Sequence, residues 1–254
     1  MSLLPETWHN FRSWVGYSPP PSPFWWQFIN DCRLGAHYRT KSSIGTEQDV
    51  KVAVIVPHPS YNKPIDYAND IALLKLAEPA RLGKGIGLAC LANNEYELKM
   101  DGNSKCYITG WGALSSGGKQ PNVLMQTSVP LVSKQTCLIG YPGRIDDSML
   151  CAGLGKEVDA CYGDSGGPLV CEHGNIWYLE GATSWGWGCA QAGKYGVYAK
   201  VRHFRKWLLN TMRSSPPFTG MKFEKFVDIS RTLQTLYNIH DATLTGCKPW
   251  YQLN

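Results

Sequence analysis

Hydrophobic and polar residues alternate in short segments along most of this chain, and residues that favour turns separate the segments. Many short strand-like segments separated by turn residues are typical of a β-barrel or a β-sandwich. The sequence therefore predicts an all-β fold. The predicted strands are residues 33–38, 50–56, 71–76, 105–109, 124–130, 167–171, 177–183 and 196–201.

Three regions depart from this pattern. Residues 1–31 show neither strand nor helix periodicity, and they contain a proline-rich stretch followed by Phe24 and two tryptophans. Residues 203–212 predict a helix, because their large apolar side chains recur near one helical face. The prolines after this helix end it. Apolar residues at roughly helical spacing in the tail predict an amphipathic helix packed on its own domain, or a segment that is disordered in part, rather than a functional module.

Composition and charge exclude several classes of function. The chain has 254 residues, of which 43% are hydrophobic and 18% charged, and its 26 glycines and 16 prolines suit strands joined by turns. The net charge of +5 is mild, and no cluster of Lys and Arg suggests a nucleic-acid or membrane partner. The sequence holds no run of 18 apolar residues, so we predict no membrane-spanning helix.

Nine cysteines are scattered widely along the chain. They form neither a CxxC pair nor the His/Cys spacing of a zinc site, so we expect no metal. Such cysteines indicate a disulfide framework and a secreted, extracellular protein. The first residues of the chain as given contain no apolar segment of a signal peptide.

A glycine-rich motif, GDSGG at 163–167, is suited to a catalytic serine. Glycine on both sides permits a tight turn that exposes the Ser165 hydroxyl. The same turn can direct the N–H groups of Gly163 and Ser165 into one cavity, an oxyanion hole. Taken alone, the motif fits an ordinary surface turn equally well.

Further motifs stand in order around this one. They are ITGWG at 108–112, YPG at 141–143, DACYGDSGGP at 159–168, SWG at 184–186 and GVY at 196–198. On these motifs residues 33–212 resemble the chymotrypsin-family serine proteases of the trypsin-like kind. The resemblance implies a double β-barrel with a C-terminal helix and hydrolysis of peptide bonds after Arg or Lys through an acyl-enzyme, without a cofactor. It also implies protein or peptide substrates, protein inhibitors as further partners, and a monomer.

The resemblance assigns catalytic roles residue by residue. Ser165 is the expected nucleophile, and Asp70, in NDIALLK at 69–75, is the expected buried acid of the catalytic triad. Gly163 is expected to share the oxyanion hole with Ser165, and Ser184 to support Asp70. Without the resemblance, Asp70 would also fit a turn carboxylate before a strand.

Substrate specificity is assigned in the same way. An Asp at the position of Asp159 lies at the base of the primary pocket in this family and pairs with a substrate Arg or Lys. Gly186 and Gly196 are expected to leave the pocket walls open. Tyr195 replaces the proline of most trypsins; it accompanies monovalent-cation sensitivity in some relatives, and we interpret it as structural. The residues assigned to substrate binding are Asp159, Ser184, Trp185, Gly186 and Gly196.

The resemblance also implies three disulfides. The pairs are Cys106–Cys171, Cys137–Cys151 and Cys161–Cys189. The third pair is expected to brace the pocket wall beside the nucleophile. Cys90 resembles the family cysteine that tethers an N-terminal propeptide, and Cys32, Cys90 and Cys247 have no assigned partners.

Two family features are absent from the sequence. The histidine base precedes the triad Asp in this family, but His9, His37 and His58 all lack its small-small-His-Cys context, and we interpret them as exposed or structural. The Ile-Val-Gly-Gly-type terminus that pairs with the Asp beside the nucleophile is also missing. We therefore expect Asp164 to be an unpaired buried charge and the pocket to be disordered.

Both absences fall in one block. Residues 1–32 occupy the place of about three strands, so we divide the chain into an atypical segment 1–32, a protease domain 33–213 and a tail 214–254. The first barrel is expected to keep its last three strands and the second to be complete. Two hypotheses follow: an incomplete version of a secreted trypsin-like protease, nearly inactive as written, or an inactive homologue that binds ligands.

Overall fold

A computed structural model of the protein describes residues 3–4, 8–9, 31–40, 45, 47–94, 96–100, 104–156 and 159–214. Thirteen strands and two helices lie in these ranges. The strands are β1 (Leu3–Leu4), β2 (Trp8–His9), β3 (Asp31–Leu34), β4 (Gln48–Pro57), β5 (Ala72–Leu76), β6 (Cys90–Leu91), β7 (Cys106–Gly110), β8 (Met125–Ser128), β9 (Leu131–Val132), β10 (Met149–Ala152), β11 (Pro168–His173), β12 (Ile176–Trp185) and β13 (Gly196–Lys200). The helices are α1 (Lys134–Gly140) and α2 (Val201–Ser214).

Two antiparallel sheets make up the molecule. The first has the strand order β1-β2-β5-β4-β3, and the second has the order β8-β7-β11-β12-β13-β10-β9. Strand β6 adds to β12 as a parallel pair. Together with α2 after the last strand, this arrangement confirms the predicted all-β double barrel with a C-terminal helix.

Short elements account for the differences from the sequence-based prediction. All eight predicted strands and the helix after them are present with shifted ends, but β6, β9, β10 and α1 were not predicted. Strand β10 is buried along its whole length, so its residues show no alternation. The amphipathic helix predicted in the tail lies outside the described residues.

The first sheet contains more than the three strands that we predicted. Strand β2 pairs with β5, with Trp8 opposite Lys75 and His9 opposite Leu74. The expectation that residues 1–31 contain no strand is therefore wrong. Strands of two residues are too short to show a period in the sequence.

The two sheets meet in a shared apolar core. Ile71 and Leu73 from the first sheet pack with Leu179 of β12 and with Phe204 and Leu208 of α2. Residues 201, 204 and 208 are the buried positions of α2, which is the spacing of one helical face. This core holds the start of β5 against β12, and the candidate catalytic residues lie at that junction.

Replacing Phe204 tests how much this core contributes to stability. Phe204 is 1% exposed, so we expect Phe204→Ala to lower the free energy of unfolding by about 3–5 kcal/mol. Urea denaturation with the disulfides intact measures the loss. As a control, Lys206→Ala on the exposed side of α2 should change the stability by less than about 0.5 kcal/mol. Equal effects of the two substitutions would contradict the packing described here.

Candidate active site

Asp70 is held rigidly at the start of β5. It is 2% exposed, and the Ser184 hydroxyl donates to its Oδ2 at 2.6 Å. The preceding Asn69 has φ of 57°, a left-handed conformation that asparagine tolerates. The Asn69 main-chain N–H donates to Ser148 Oγ at 2.9 Å, and its side-chain amide donates to the Lys63 carbonyl at 2.7 Å. These bonds fix the backbone that carries the Asp70 carboxylate.

The turn that carries Ser165 is fastened to β12. Gly163 and Gly166 have φ of 104° and 76°, which only glycine adopts without strain. The Gly166 N–H donates to the Thr183 carbonyl, and the Thr183 N–H donates to the Gly167 carbonyl, both at 2.9 Å. Ser165 is therefore placed by main-chain hydrogen bonds to β12, the strand that also carries Ser184.

The peptide between Tyr162 and Gly163 has a defined orientation. The Tyr162 carbonyl accepts hydrogen bonds from the Ala113 N–H at 2.9 Å and from the Gln120 amide nitrogen at 3.4 Å. In a trans peptide the C=O and N–H groups point in opposite directions. The Gly163 N–H is therefore directed away from the loop that carries Ala113 and Gln120, as an oxyanion donor requires. Neither residue of this loop was identified from the sequence.

Asp164 is not left unpaired. The N–H groups of Gly112 and Cys161 donate to its two carboxylate oxygens, at 2.7 Å and 3.0 Å. Hydrogen bonds to an ionised carboxylate offset much of the cost of removing it from water. The expectation of an unpaired buried charge is wrong, because a sequence pattern does not show which main-chain donors surround a side chain. A Cβ at position 112 would lie 2.3 Å from the carboxylate carbon, so glycine is required there.

A cavity of about 220 Å³ opens beside Ser165. Four of the residues assigned to substrate binding from the sequence line it: Asp159, Trp185, Gly186 and Gly196. Ser184, which was also assigned to substrate binding, is 1% exposed and is not among the lining residues. Its hydroxyl donates to Asp70 instead, so Ser184 supports the candidate triad acid and does not face the cavity.

The charge in the cavity belongs to Asp159. Its Oδ2 accepts a hydrogen bond from the Ala190 N–H at 3.3 Å, whereas its Oδ1 is buried and has no hydrogen-bond partner among the described residues. Burial raises the pKa of Asp159 to about 6; N–H groups of Ala190 and Ala160 oppose the rise, and the nearby Asp164 adds to it. A half-satisfied carboxylate at the base of a cavity is poised to accept a cation.

Gly196 keeps the base of the cavity open. A Cβ at this position would lie 2.7 Å from Asp159 Oδ1 and 2.9 Å from the Tyr198 hydroxyl. Any side chain would therefore separate an incoming ligand from the carboxylate. The Tyr198 hydroxyl is also buried without a hydrogen-bond partner among the described residues.

Disulfides and one buried tyrosine brace the cavity wall. The three pairs implied by the resemblance are all present: Cys106–Cys171, Cys137–Cys151 and Cys161–Cys189. Cys90 also takes part in a disulfide. The buried Tyr141 donates its hydroxyl to the Tyr195 carbonyl at 2.7 Å and packs edge-on against Trp185, with ring centroids 4.8 Å apart. The YPG motif marked Tyr141, but its supporting role was not inferred from the sequence.

The histidines that precede Asp70 occupy different surroundings. His37 is exposed. The ring of His58 packs on Trp207, with centroids 4.8 Å apart, and its pKa is lowered by burial and by the nearby His203. His9 lies in β2, and its side chain is outside the described structure. The contacts of His37 and His58 are those of exposed and structural residues.

The described part of the chain contains neither a cluster of metal-binding side chains nor a membrane-spanning helix. It contains no group of three or more His, Cys, Asp or Glu side chains that could hold a metal ion. Within the same ranges, neither helix is long and apolar enough to cross a membrane.

Comparison with known proteins bears on the same site. Residues 28–208 match the family model described as Trypsin. The chain is 40% identical to Trypsin-3 of Salmo salar over 187 residues, which is 72% of this chain and 74% of that protein. It is also 40% identical to Cationic trypsin-3 of Rattus norvegicus over 185 residues, 72% of this chain and 71% of that protein. A solved structure of neuropsin, a serine protease expressed in the limbic system of mouse brain, superposes with a TM-score of 0.63 and 39% identity, covering 72% of this chain and 78% of that one.

Proposed function

Because the chain belongs to the trypsin family of serine proteases, we propose that it carries a trypsin-like endopeptidase site that acts after Arg or Lys. The observation that carries this proposal is the buried Asp159 carboxylate with an unpartnered Oδ1 at the base of the cavity. A guanidinium or ammonium group supplies the missing hydrogen bonds and the opposite charge. A neutral side chain would leave the carboxylate buried and unsatisfied.

The bond-making steps follow from where Ser165 lies. With a basic side chain in the cavity, the adjoining carbonyl carbon comes to the Ser165 Oγ at the cavity mouth. Attack forms an ester to Ser165, the C–N bond breaks, and the amine leaves with a proton. Water then hydrolyses the ester and restores the hydroxyl. The Gly163 and Ser165 N–H groups would stabilise the oxyanion formed in each step.

Attack by Ser165 needs a base that takes the proton of its hydroxyl, and attack by water on the ester needs a base that takes a proton from that water. In the general triad a buried Asp orients a histidine and stabilises its charged form, and the fixed Asp70–Ser184 pair is suited to that role. None of the described histidine side chains ahead of Asp70 contacts it or Ser165. We propose that full activity belongs to a form of the protein that carries this histidine, and that the 254-residue chain is an incomplete version of it.

A second candidate function is ligand binding without catalysis. Main-chain donors hold Asp164 in place, and the cavity is formed around Asp159. Recognition of a basic side chain would therefore not depend on an Ile-Val-Gly-Gly-type terminus that pairs with Asp164. This observation favours a homologue that binds basic peptides if residues 1–32 prove authentic in the mature protein.

The wider organisation follows the same proposal. Residues 33–213 are assigned to the protease domain, with residues 1–32 before it and 214–254 after it, and the domain acts as a monomer on protein substrates. Strands β1 and β2, in the first of these segments, extend the first sheet of the domain. The disulfides suit an oxidising compartment, so we place the protein outside the cell.

Binding of p-aminobenzamidine, a small cation that mimics the arginine side chain, tests the pocket. Only ionised Asp159 attracts the cation, so the affinity should be constant above pH 7. It should fall about tenfold per pH unit below the pKa of about 6, because protonation removes the charge. Fluorescence titration between pH 4.5 and 8.5 measures this dependence. The neutral analogue p-aminobenzamide should bind far more weakly at pH 8, and equal affinity of the two compounds would refute the assignment.

A further inference from the structure

An exposed tryptophan projects from the cavity wall. Trp187 lies between Gly186 and Gly188, both of which line the cavity, yet its own side chain is 44% exposed. Large exposed aromatic side chains beside a binding cavity commonly contact the ligand. The ring therefore offers a contact surface outside the cavity to a ligand that is already anchored within it.

Two cations converge on this ring. The Lys194 Nζ lies 4.4 Å from the centroid of the Trp187 ring, and the Arg144 Cζ lies 5.5 Å from it. Lys194 also donates to the Gly140 carbonyl at 2.5 Å, so its ammonium group is held in place. Contact with an aromatic ring stabilises a cation without neutralising its charge.

Neither cation is paired with an acid in the described part of the chain. The four ion pairs there are Arg33–Asp49, Lys105–Glu172, Lys134–Asp147 and Arg202–Glu180. Asp146, the acid closest in sequence to Arg144, accepts hydrogen bonds from the Ser148 N–H and hydroxyl, and the next residue, Asp147, is engaged with Lys134. Arg144 itself is exposed. Two charges of the same sign beside one exposed ring make a local site for an anion.

The fold brings these residues together from three separate segments. Arg144 follows α1, and its N–H donates to the Tyr141 carbonyl at 3.1 Å. The loop that carries Lys194 packs on the end of α1 so closely that a Cβ on Gly140 would lie 2.6 Å from the Gly193 carbonyl oxygen. The arrangement is therefore built by rigid contacts.

We propose that Trp187, Arg144 and Lys194 form a secondary site that binds an acidic side chain of the substrate, two or three residues N-terminal to the basic residue in the cavity. The inference rests on the proposed function, because the basic residue anchors the peptide. Gly186 and Gly188, on either side of Trp187, line the cavity that holds the basic residue. An extended chain advances about 3.3 Å per residue, so the acidic side chain is placed a few residues away from the anchored one.

Matched peptides capped with agmatine, which mimics arginine and is not cleaved, test the site. The pair is acetyl-Glu-Gly-Gly-agmatide and acetyl-Gln-Gly-Gly-agmatide, with a second pair that carries the Glu or Gln one position closer. At low salt the Glu peptide of at least one pair should bind about 2- to 5-fold more tightly than its Gln partner, the upper part of the range for exposed ion pairs. Calorimetry measures both affinities, and 0.5 M NaCl should remove most of the difference.

Variants locate the effect. The double substitution Arg144→Gln and Lys194→Gln should abolish the preference for Glu and leave the affinity for the Gln peptide unchanged. If the double variant does not fold, the single substitution Arg144→Gln, at an exposed position, replaces it and should reduce the preference for Glu. Lys105→Gln removes one positive charge, as Arg144→Gln does, but from the ion pair with Glu172. This control variant should keep the preference for Glu.

The outcomes separate the two proposals. Equal binding of Glu and Gln peptides in both pairs, with binding that still requires Asp159, would overturn the secondary site and leave the proposed function standing. A Glu preference that survives in the double variant would also overturn it. If no agmatide binds, or if binding does not require Asp159, the proposed function is wrong and the secondary site falls with it.

Discussion

The purified 254-residue protein should hydrolyse an arginyl p-nitroanilide only about 10³–10⁴ times faster than the uncatalysed reaction in water. This is the rate enhancement that remains in other serine proteases when a member of the triad is removed. The pocket and the oxyanion donors can still bind and polarise the substrate. The expectation follows from the proposal that the chain supplies no base, in which case the Ser165 hydroxyl keeps its proton and is a weak nucleophile. Initial rates at pH 8, measured by p-nitroaniline release, give the result.

Two controls make this outcome interpretable. Ser165→Ala, purified in parallel, should differ from the unmodified chain by less than tenfold, because the serine contributes little without its base. Binding of p-aminobenzamidine by the same sample shows that the domain is folded. Fast cleavage that Ser165→Ala abolishes would refute the expectation and would mean that another group of this chain serves as the base.

Asp159→Asn should weaken the binding of p-aminobenzamidine at pH 8 by about 100-fold or more, the usual cost of removing one member of a buried charge pair. The asparagine keeps the shape of the side chain but lacks the charge that faces the cation. Fluorescence titration measures the loss. Asp31→Asn, at an exposed position of β3, should bind as the unmodified protein does, and a similar loss in that variant would contradict the assignment.

The same substitution should stabilise the fold. In the folded protein the pKa of Asp159 is raised from 3.8 to about 6 by burial, so the folded state holds this proton more tightly than the unfolded state. The free energy of unfolding therefore falls as the pH rises from about 4 to about 6, and the penalty is fully present above pH 6. Asp159→Asn should remove up to about 3 kcal/mol of penalty at pH 8 and almost none at pH 4.

Urea denaturation at the two pH values measures this gain. A stabilisation at pH 8 that disappears at pH 4 would show that the recognition carboxylate is held at a cost to the fold. Sites that are built for binding often carry such a cost. No gain at pH 8 would indicate that Asp159 is better solvated than its buried Oδ1 implies.

Elements with a clear period were predictable from the sequence, and elements without one were not. Strand β12 and helix α2 are long enough to show their periodicity, and both were predicted close to their observed bounds. The two-residue strands and the uniformly buried β10 carry no alternation. Their positions depend on pairing partners that are distant in sequence, such as Leu150 opposite Tyr198.

The candidate active site also has features that the sequence predicts and features that it does not. The motifs around Ser165 and Asp159 predicted a nucleophile and a pocket carboxylate, and the structure places both residues on one cavity. They did not predict that main-chain N–H groups satisfy Asp164, or that Gln120 binds the Tyr162 carbonyl. Both contacts join segments that the fold alone brings together.

The sequence by itself determined the family, the all-β architecture, the serine turn and the acid in the pocket, because each depends on local residue types in a fixed order. Only the tertiary structure decided that Oδ1 of Asp159 is left without a partner and that Ser184 is directed to Asp70. It also decided that two cations meet at Trp187. Burial, hydrogen-bond satisfaction and charge proximity are properties of segments in contact, and the order of residues along one segment does not contain them.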